Sequence, residues 1–159
     1  MKFPEINGRN LEFIKYSIPS DLKGEINLLI IPFQRWHQTL VDQWASFLNI
    51  IESKNPDFRY YELPTLTTLY KAMRFMIDGG MRAGISDKSV RARTITLYLN
   101  KTQFKKLLNI RSEETIYLFL VRRSGEILWR TEGPYDKIKA EQLVKLINDL
   151  LKPKLKIFS

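Results

Sequence analysis

Apolar positions in the first half of the chain alternate between strand spacing and helix spacing. Short apolar runs predict strands at residues 11–18, 28–33 and 58–63, and the second of these is apolar enough to be covered on both faces. Residues 35–54 carry apolar side chains at helical spacing, which predicts an amphipathic helix of about five turns. This half of the chain therefore predicts strands connected by a helical crossover.

A second helix is predicted directly after Pro64, which ends the third strand. Thr65 is its expected cap, and Gly79 and Gly80 are expected to end it. The apolar residues spaced for its buried face are Leu66, Leu69, Tyr70, Met73 and Ile77. We therefore expect this helix to pack on the core through that face.

The second half of the chain predicts a further strand and helix, a hairpin and a final helix. Residues 94–99 alternate like a strand, and Asn100 is placed to cap a short helix. Residues 116–121 and 127–131 flank a glycine-containing turn, which predicts an antiparallel hairpin. Asp136 is placed to cap the last helix. Alternating strands and helices followed by a hairpin indicate an α/β fold with a mixed central sheet flanked by helices.

The composition describes a globular protein with little catalytic chemistry. The 159 residues are 44% hydrophobic and 27% charged, which predicts one domain spanning 1–159. The absence of cysteine excludes disulfides, thiol nucleophiles, thiol redox chemistry, thiol peroxidase activity and cysteine-ligated metals. His37 is the single histidine, so a triad or metal site has few remaining donors. We predict no cofactor and no metal, and an enzymatic role stays open.

Positive charge is concentrated in one stretch of the chain. The sequence holds 26 basic and 17 acidic residues, for a net charge of +9. Residues 71–111 contain ten of the basic residues and only two acidic ones, and residues 152–159 form a basic tail. This balance predicts an acidic protein or a small anion as partner. Nucleic acid is a weaker alternative because no recognised nucleic-acid module is present.

The sequence carries no sign of a membrane or export segment. No run of 18 uncharged apolar residues exists, and the first residues lack the apolar core of a signal peptide. We therefore expect a cytoplasmic location.

The segment Phe33-Gln34-Arg35-Trp36-His37-Gln38-Thr39-Leu40 resembles the thioredoxin segment in which an aromatic residue ends a strand and Trp precedes Cys-x-x-Cys. His37 and Leu40 occupy the two cysteine positions. Residues 115–126 are similar to the thioredoxin strand and basic turn, and Gly133 before a capped helix matches the C-terminal unit. The proline that is usually cis in thioredoxins would fall at Glu114.

This resemblance implies a three-layer thioredoxin-like fold with an inserted strand and helix. The inserted basic segment spans about residues 79–111. The closing strand, glycine turn and Ile-Leu-Trp-Arg sequence is similar to the thioredoxin-fold assembly factor family of the mitochondrial ATP synthase, and more loosely to peroxiredoxin-like proteins. The resemblance implies a redox-inactive binding or assembly protein.

Two places in the sequence are candidate binding sites. His37 follows Trp36 at the predicted helix start, where it either titrates near neutrality or only caps the helix. Residues 78–93 combine glycines with arginines, which suits either an anion cradle or a helix end followed by a solvated basic loop. The candidate binding residues are Trp36, His37, Gly79, Gly80, Arg82, Arg91 and Arg93.

These observations leave three functional hypotheses. The first is a redox-inactive binding, assembly or chaperone module that acts through the basic Gly/Arg-rich surface. The alternative is a small-anion-binding enzyme or carrier in which His37 and the arginine loop share a cleft. The third is nonspecific nucleic-acid binding. A concave site joining His37 to the arginines favours the second hypothesis, whereas an exposed apolar patch rimmed by arginine favours a protein partner.

Overall fold

A computed structural model describes residues 1–151, so the predicted basic tail 152–159 lies outside the described residues. The strands are β1 (Ile6–Asn10), β2 (Lys15–Ile18), β3 (Ile26–Ile31), β4 (Phe58–Glu62), β5 (Thr65–Thr67), β6 (Ile95–Leu99), β7 (Tyr117–Arg122) and β8 (Ile127–Glu132). The helices are α1 (Gln38–Lys54), α2 (Arg74–Gly84), α3 (Lys88–Arg93), α4 (Lys101–Leu107) and α5 (Lys137–Leu151). Short 3-10 helices, Arg35–His37 and Thr68–Met73, lead into α1 and α2.

The strands form two four-stranded sheets, ordered β2-β1-β6-β5 and β4-β3-β7-β8. In the second sheet β3 pairs in parallel with β4, whereas β7 and β8 are antiparallel as the hairpin pattern predicts. The two sheets are linked where the chain passes from β4 into β5 and by a bridge between Glu62 and Thr94. The predicted mixed sheet is confirmed, and β6 with α4 supplies the inserted strand and helix.

Helices cover the second sheet in layers. Residues of α1 and α5 pack on one face of β3, β4 and β7, and Trp44 is the largest buried side chain there. The other face packs against Phe104 of α4 and against the N-terminal hairpin. The indole Nε1 of Trp44 also donates to the Gly133 carbonyl at 3.1 Å, which ties α1 to the start of the α5 unit. The burial of β3 on both faces and the amphipathic helices thus produce the predicted three layers.

The predicted first strand over residues 11–18 is wrong. That stretch contains a turn, and it separates β1 from β2, which pair as an antiparallel hairpin. Asn10 stabilises the turn because its Oδ1 accepts from the backbone N–H groups of Glu12 at 2.9 Å and Ile14 at 2.8 Å. Phe13 adopts a positive φ of 64°, and Leu11 is buried. An asparagine turn of this kind interrupts an otherwise strand-like apolar run.

The predicted second helix is also wrong in both its limits and its orientation. Thr65 lies in β5, and α2 runs through Gly79 and Gly80 instead of ending there. Leu69 of the predicted buried face is 80% exposed, whereas Asp78 is 1% exposed. Asp78 is buried because its carboxylate accepts hydrogen bonds from hydroxyl groups of β6, so the polar side of α2 faces the sheet.

Candidate functional site

The start of α1 follows β3 and a 3-10 turn, and it contains the segment that the thioredoxin resemblance matches to the two cysteine positions. Trp36 is 52% exposed and its ring meets the His37 ring edge-on, with centroids 4.5 Å apart. Its indole Nε1 donates to Oε1 of Gln34 at 3.2 Å. Trp36 is thus exposed beside the helix start, whereas Trp44, eight residues later, is fully buried.

His37 is completely buried and orders the connection from β3 into α1. Its Nδ1 accepts hydrogen bonds from the backbone N–H groups of Phe33 at 3.0 Å and Gln34 at 3.2 Å. Nδ1 therefore carries no proton, and the proton of the neutral ring is on Nε2. Within residues 1–151, no acceptor meets hydrogen-bond geometry at Nε2. This geometry suits a structural role, and a binding role for His37 stays a prediction.

Burial lowers the pKa of His37 below its usual value. The Glu114 backbone and the carboxylates of Glu113 and Glu114 oppose this shift but do not cancel it. The imidazole is consequently neutral at pH 7, which agrees with the acceptor role of Nδ1.

Glu113 lies at the same edge and is held there through both its backbone and its side chain. Its backbone carbonyl accepts from Nε2 of Gln34 at 2.7 Å, and its carboxylate pairs with Lys101 and Lys105, each at 2.7 Å. Partial burial disfavours its ionised form, but the two lysines outweigh burial and hold the pKa of Glu113 below its usual value. Two lysines of the basic stretch are thus neutralised by a glutamate that lies beside the start of α1.

Arg82 and Arg91 contact the turn between β1 and β2. Arg82 donates to the Leu11 carbonyl at 2.8 Å and to the carboxylate of Glu12. Arg91 lies 3.6 Å from Glu12 and donates to the carbonyls of Ile85 and Ser86. The hydrogen bond from Arg82 lowers the pKa of Glu12. The two guanidinium groups thus fasten α2 and α3 to the N-terminal hairpin.

Arg93 packs against the other end of α1. Its guanidinium donates to both carboxylate oxygens of Glu52, at 2.8 and 2.9 Å, and to the Tyr60 carbonyl at 3.0 Å. The guanidinium also lies 3.9 Å from the centre of the Tyr60 ring. Burial disfavours the Glu52 carboxylate, but Arg93 outweighs it and holds the pKa of Glu52 below its usual value.

The predicted cleft shared by His37 and Arg93 does not form. His37 and Glu52 lie at opposite ends of α1, and a helix of this length rises by about 20 Å between them. The sequence could not reveal this separation, because both acidic partners, Glu12 and Glu52, lie far from the arginines along the chain.

Gly79 and Gly80 lie within α2, beside an exposed apolar surface. A Cβ atom added at either glycine meets nothing within 4 Å. The exposed apolar side chains of this region, called here the apolar face, are Leu69, Tyr70, Met73, Phe75 and Met76. Phe75 is 69% exposed and Met76 is 73% exposed. Arg9 and Arg74 lie at its margin, with Arg9 5.5 Å from the centre of the Phe75 ring.

The buried side of α2 is held by a polar cluster. Thr96 donates to Asp78 at 3.0 Å, and the Tyr98 hydroxyl donates to the same carboxylate at 2.6 Å. Burial raises the pKa of Tyr98, and the Asp78 carboxylate raises it further. The phenol therefore stays protonated as a donor, and α2 is anchored through polar groups while its apolar side faces solvent.

Solved structures place this arrangement in the thioredoxin-like class. Arabidopsis thaliana ScoI with copper bound superposes with a TM-score of 0.61 at 10% identity, covering 94% of this chain and 99% of that one. The thioredoxin domain of the thiol-disulfide oxidoreductase BVU-2223 from Bacteroides vulgatus gives 0.60 at 18% identity, covering 93% and 96%. StoA from Bacillus subtilis gives 0.56 at 18% identity, covering 91% and 97%. At such identities these similarities establish the fold alone.

The sequence itself defines the family. Residues 1–150 match the family described as ATP10 protein, and the chain therefore belongs to that family. No curated protein sequence matches the chain. The predicted thioredoxin-like fold and the predicted assembly-factor family are both confirmed. Within residues 1–151, no helix has the length and apolar character needed to cross a membrane.

Proposed function

We propose that this protein is a redox-inactive thioredoxin-like module that binds a partner polypeptide during assembly of the ATP synthase, for which its family is named. The family match supports an assembly-type role, and the lack of cysteine leaves no thiol chemistry for the fold to perform. The contact surface we propose is the apolar face together with the outer side of α2.

The inverted orientation of α2 carries this proposal. An amphipathic helix ordinarily buries its apolar side, yet α2 buries Asp78 and exposes Phe75 and Met76. Exposed apolar side chains that are contiguous and rimmed by charge are typical of interaction sites. Methionine adapts its shape to different partner surfaces, which suits binding of a folding intermediate.

The glycines supply the second feature of this surface. After Phe75 and Met76, the glycines Gly79, Gly80 and Gly84 add no side chains to the C-terminal part of α2, and nothing lies within 4 Å of the positions their Cβ atoms would occupy. A partner backbone can approach such a helix more closely than one that carries larger residues. This role differs from the anion cradle that the glycine-arginine sequence predicts.

Charge complements the apolar contacts. Arg82, Arg91 and Arg93 are paired with glutamates of this chain, so they contribute less to an external field than their number implies. Lys71 and Arg74 belong to the same helical segment as the apolar face and make no ion pair within the described residues. We propose that the partner presents acidic groups beside an apolar segment, with association that slows as salt rises.

Site-specific photocrosslinking in the source organism tests the proposal. A benzoylphenylalanine in place of Phe75 should form an adduct with an ATP synthase subunit or assembly intermediate, identified by mass spectrometry. Ile138 on α5 is the matched control position, because it is apolar and 67% exposed. No adduct at position 75, or the same adduct at both positions, contradicts the proposed surface.

The location and nucleic-acid hypotheses stay predictions beside this proposal. Nonspecific nucleic-acid binding would instead require a log–log salt slope of about 0.9 per phosphate contact on duplex DNA, irrespective of sequence. A cytoplasmic location is tested by cell fractionation.

A further inference from the structure

A cleft of about 620 Å³ lies between the β1–β2 hairpin and the helical segment that contains α2. The helical segment contributes its polar residues Lys71 and Arg74 to the cleft wall, whereas its apolar face points to solvent. The charged side chains that line it are Arg9, Lys15, Lys71, Arg74, Glu5 and Asp21. The cleft therefore contains two more cations than carboxylates.

The four cations are free to bind a ligand. Within residues 1–151, none of them forms an ion pair or donates a side-chain hydrogen bond, and Nε of Arg74 is buried without an acceptor. The acids are partly engaged already. Glu5 accepts from the Ser20 hydroxyl at 2.9 Å, and Asp21 accepts from the Ser17 backbone N–H at 2.7 Å. The cleft is thus electropositive toward an anion that enters it.

Arg9 and Arg74 pack against aromatic rings and not against carboxylates. The Arg74 guanidinium lies 5.0 Å from the centre of the Tyr98 ring, and Arg9 lies over Phe75. Tyr98 is itself fixed, because its hydroxyl donates to buried Asp78. Stacking orients a guanidinium without consuming its N–H donors, so those donors stay available to an anion.

We propose that this cleft is a binding site for a phosphate group. An excess of two positive charges matches a phosphate dianion, and arginine forks with lysine ammonium groups are the side chains that recognise phosphate. The volume lies within the range of about 300–1,000 Å³ that is usual for small-molecule sites. This site goes beyond the proposed polypeptide-binding function: it shares Arg9, Lys71 and Arg74 with the charged margin of the apolar face but not the exposed apolar side chains themselves, so pyrophosphate binding is measured without the partner.

Amide chemical-shift mapping by NMR locates the binding directly. Pyrophosphate is titrated to 10 mM at constant ionic strength, and saturable shifts are expected at Gly8, Arg74 and Tyr98. Arg74→Gln and Lys71→Gln should each weaken binding at least fivefold. Lys145→Gln on α5 removes the same charge away from the cleft and should leave the affinity unchanged. Lys71 is exposed, so its variant tests the site even where Arg74→Gln loses structure.

A second arm distinguishes a soluble phosphate from a lipid headgroup. Vesicles of phosphatidylcholine with phosphatidic acid are tested by cosedimentation with the same variants. Cleft shifts with pyrophosphate support a soluble ligand, and vesicle binding that Arg74→Gln and Lys71→Gln abolish, without pyrophosphate shifts, supports a headgroup. Absence of both overturns the proposal. Equal weakening by Lys145→Gln, or shifts centred elsewhere, also overturns it.

Discussion

Replacing both Gly79 and Gly80 with alanine should stabilise this protein. Both glycines lie in the interior of α2, neither has a positive φ, and an added Cβ meets nothing within 4 Å at either position. Glycine in a helix interior costs about 0.5–1 kcal/mol relative to alanine. The double variant should therefore gain about 1–2 kcal/mol, since no clash offsets the gain in helix propensity.

The assay is thermal unfolding followed by circular dichroism, with amide hydrogen exchange to confirm that α2 itself is protected. For a domain of this size, about 1 kcal/mol corresponds to about 2–4 °C, so Tm should rise by roughly 2–8 °C. Gly8→Ala is the opposing control. Its Cβ would lie 2.6 Å from Cγ2 of Ile95 and 2.9 Å from Cδ2 of Leu97, so that variant should unfold at a lower temperature.

A lower Tm in the alanine double variant would refute the reasoning. If Gly79 and Gly80 ended the helix, as their sequence context predicts, a left-handed residue would be usual at that end, and alanine there would be strained and would cost stability. The sign of the change therefore distinguishes a helix that continues to Gly84 from one that ends at Gly79.

Three further outcomes follow from the described contacts. Arg93→Met leaves the mostly buried Glu52 carboxylate without its cation, so the free energy of unfolding should fall by about 2–3 kcal/mol and Tm by about 4–12 °C. Lys88→Met, the control, should change Tm little, and an unchanged Tm in R93M would contradict the structural role of the pair. Burial lowers the pKa of His37, so the unfolded chain binds a proton at this histidine more readily than the folded protein does, and stability should fall as pH drops below about 6.5. His37→Gln should remove this part of the dependence of Tm on pH, and parallel curves for the two proteins would contradict the prediction. Insulin disulfides should be reduced no faster than in a no-protein control with dithiothreitol, and stoichiometric turnover would contradict the redox-inactive assignment.

Elements with an unambiguous period were predictable from the sequence. The helix over residues 35–54, the hairpin around Gly125 and the capped final helix match α1, the β7–β8 pair and α5. In each case local spacing and packing on the sheet agree, because the apolar side of the element is the buried one. The caps at Asn100 and Asp136 were predictable for the same local reason, and both side chains accept the expected backbone hydrogen bonds.

Sequence reasoning failed where a distant partner reversed the local preference. The apolar spacing of residues 66–77 predicts a buried face, but Asp78 bonds to Tyr98 and Thr96 across the fold and turns the polar side of α2 inward. Arg82 and Arg93 suggest an anion site in isolation, and their pairing with glutamates elsewhere depends on tertiary contacts that spacing does not encode. One local feature pointed to the true orientation: Asp78 is the single acidic residue of α2, and an aspartate that is buried needs hydrogen-bond donors around it.

The central claim is that the apolar face binds an assembly partner, and the most direct measurement is the amount of assembled ATP synthase in cells of the source organism. The variant carries Phe75→Ser and Met76→Ser, whose side chains are 69% and 73% exposed and contribute little to the fold. Native gel electrophoresis with in-gel ATPase staining reports the complex, and immunoblotting reports the variant's own level. The account predicts a several-fold loss of assembled enzyme with an unchanged level and Tm of the variant, and normal assembly with Ile138→Ser. Normal assembly with F75S/M76S would contradict it.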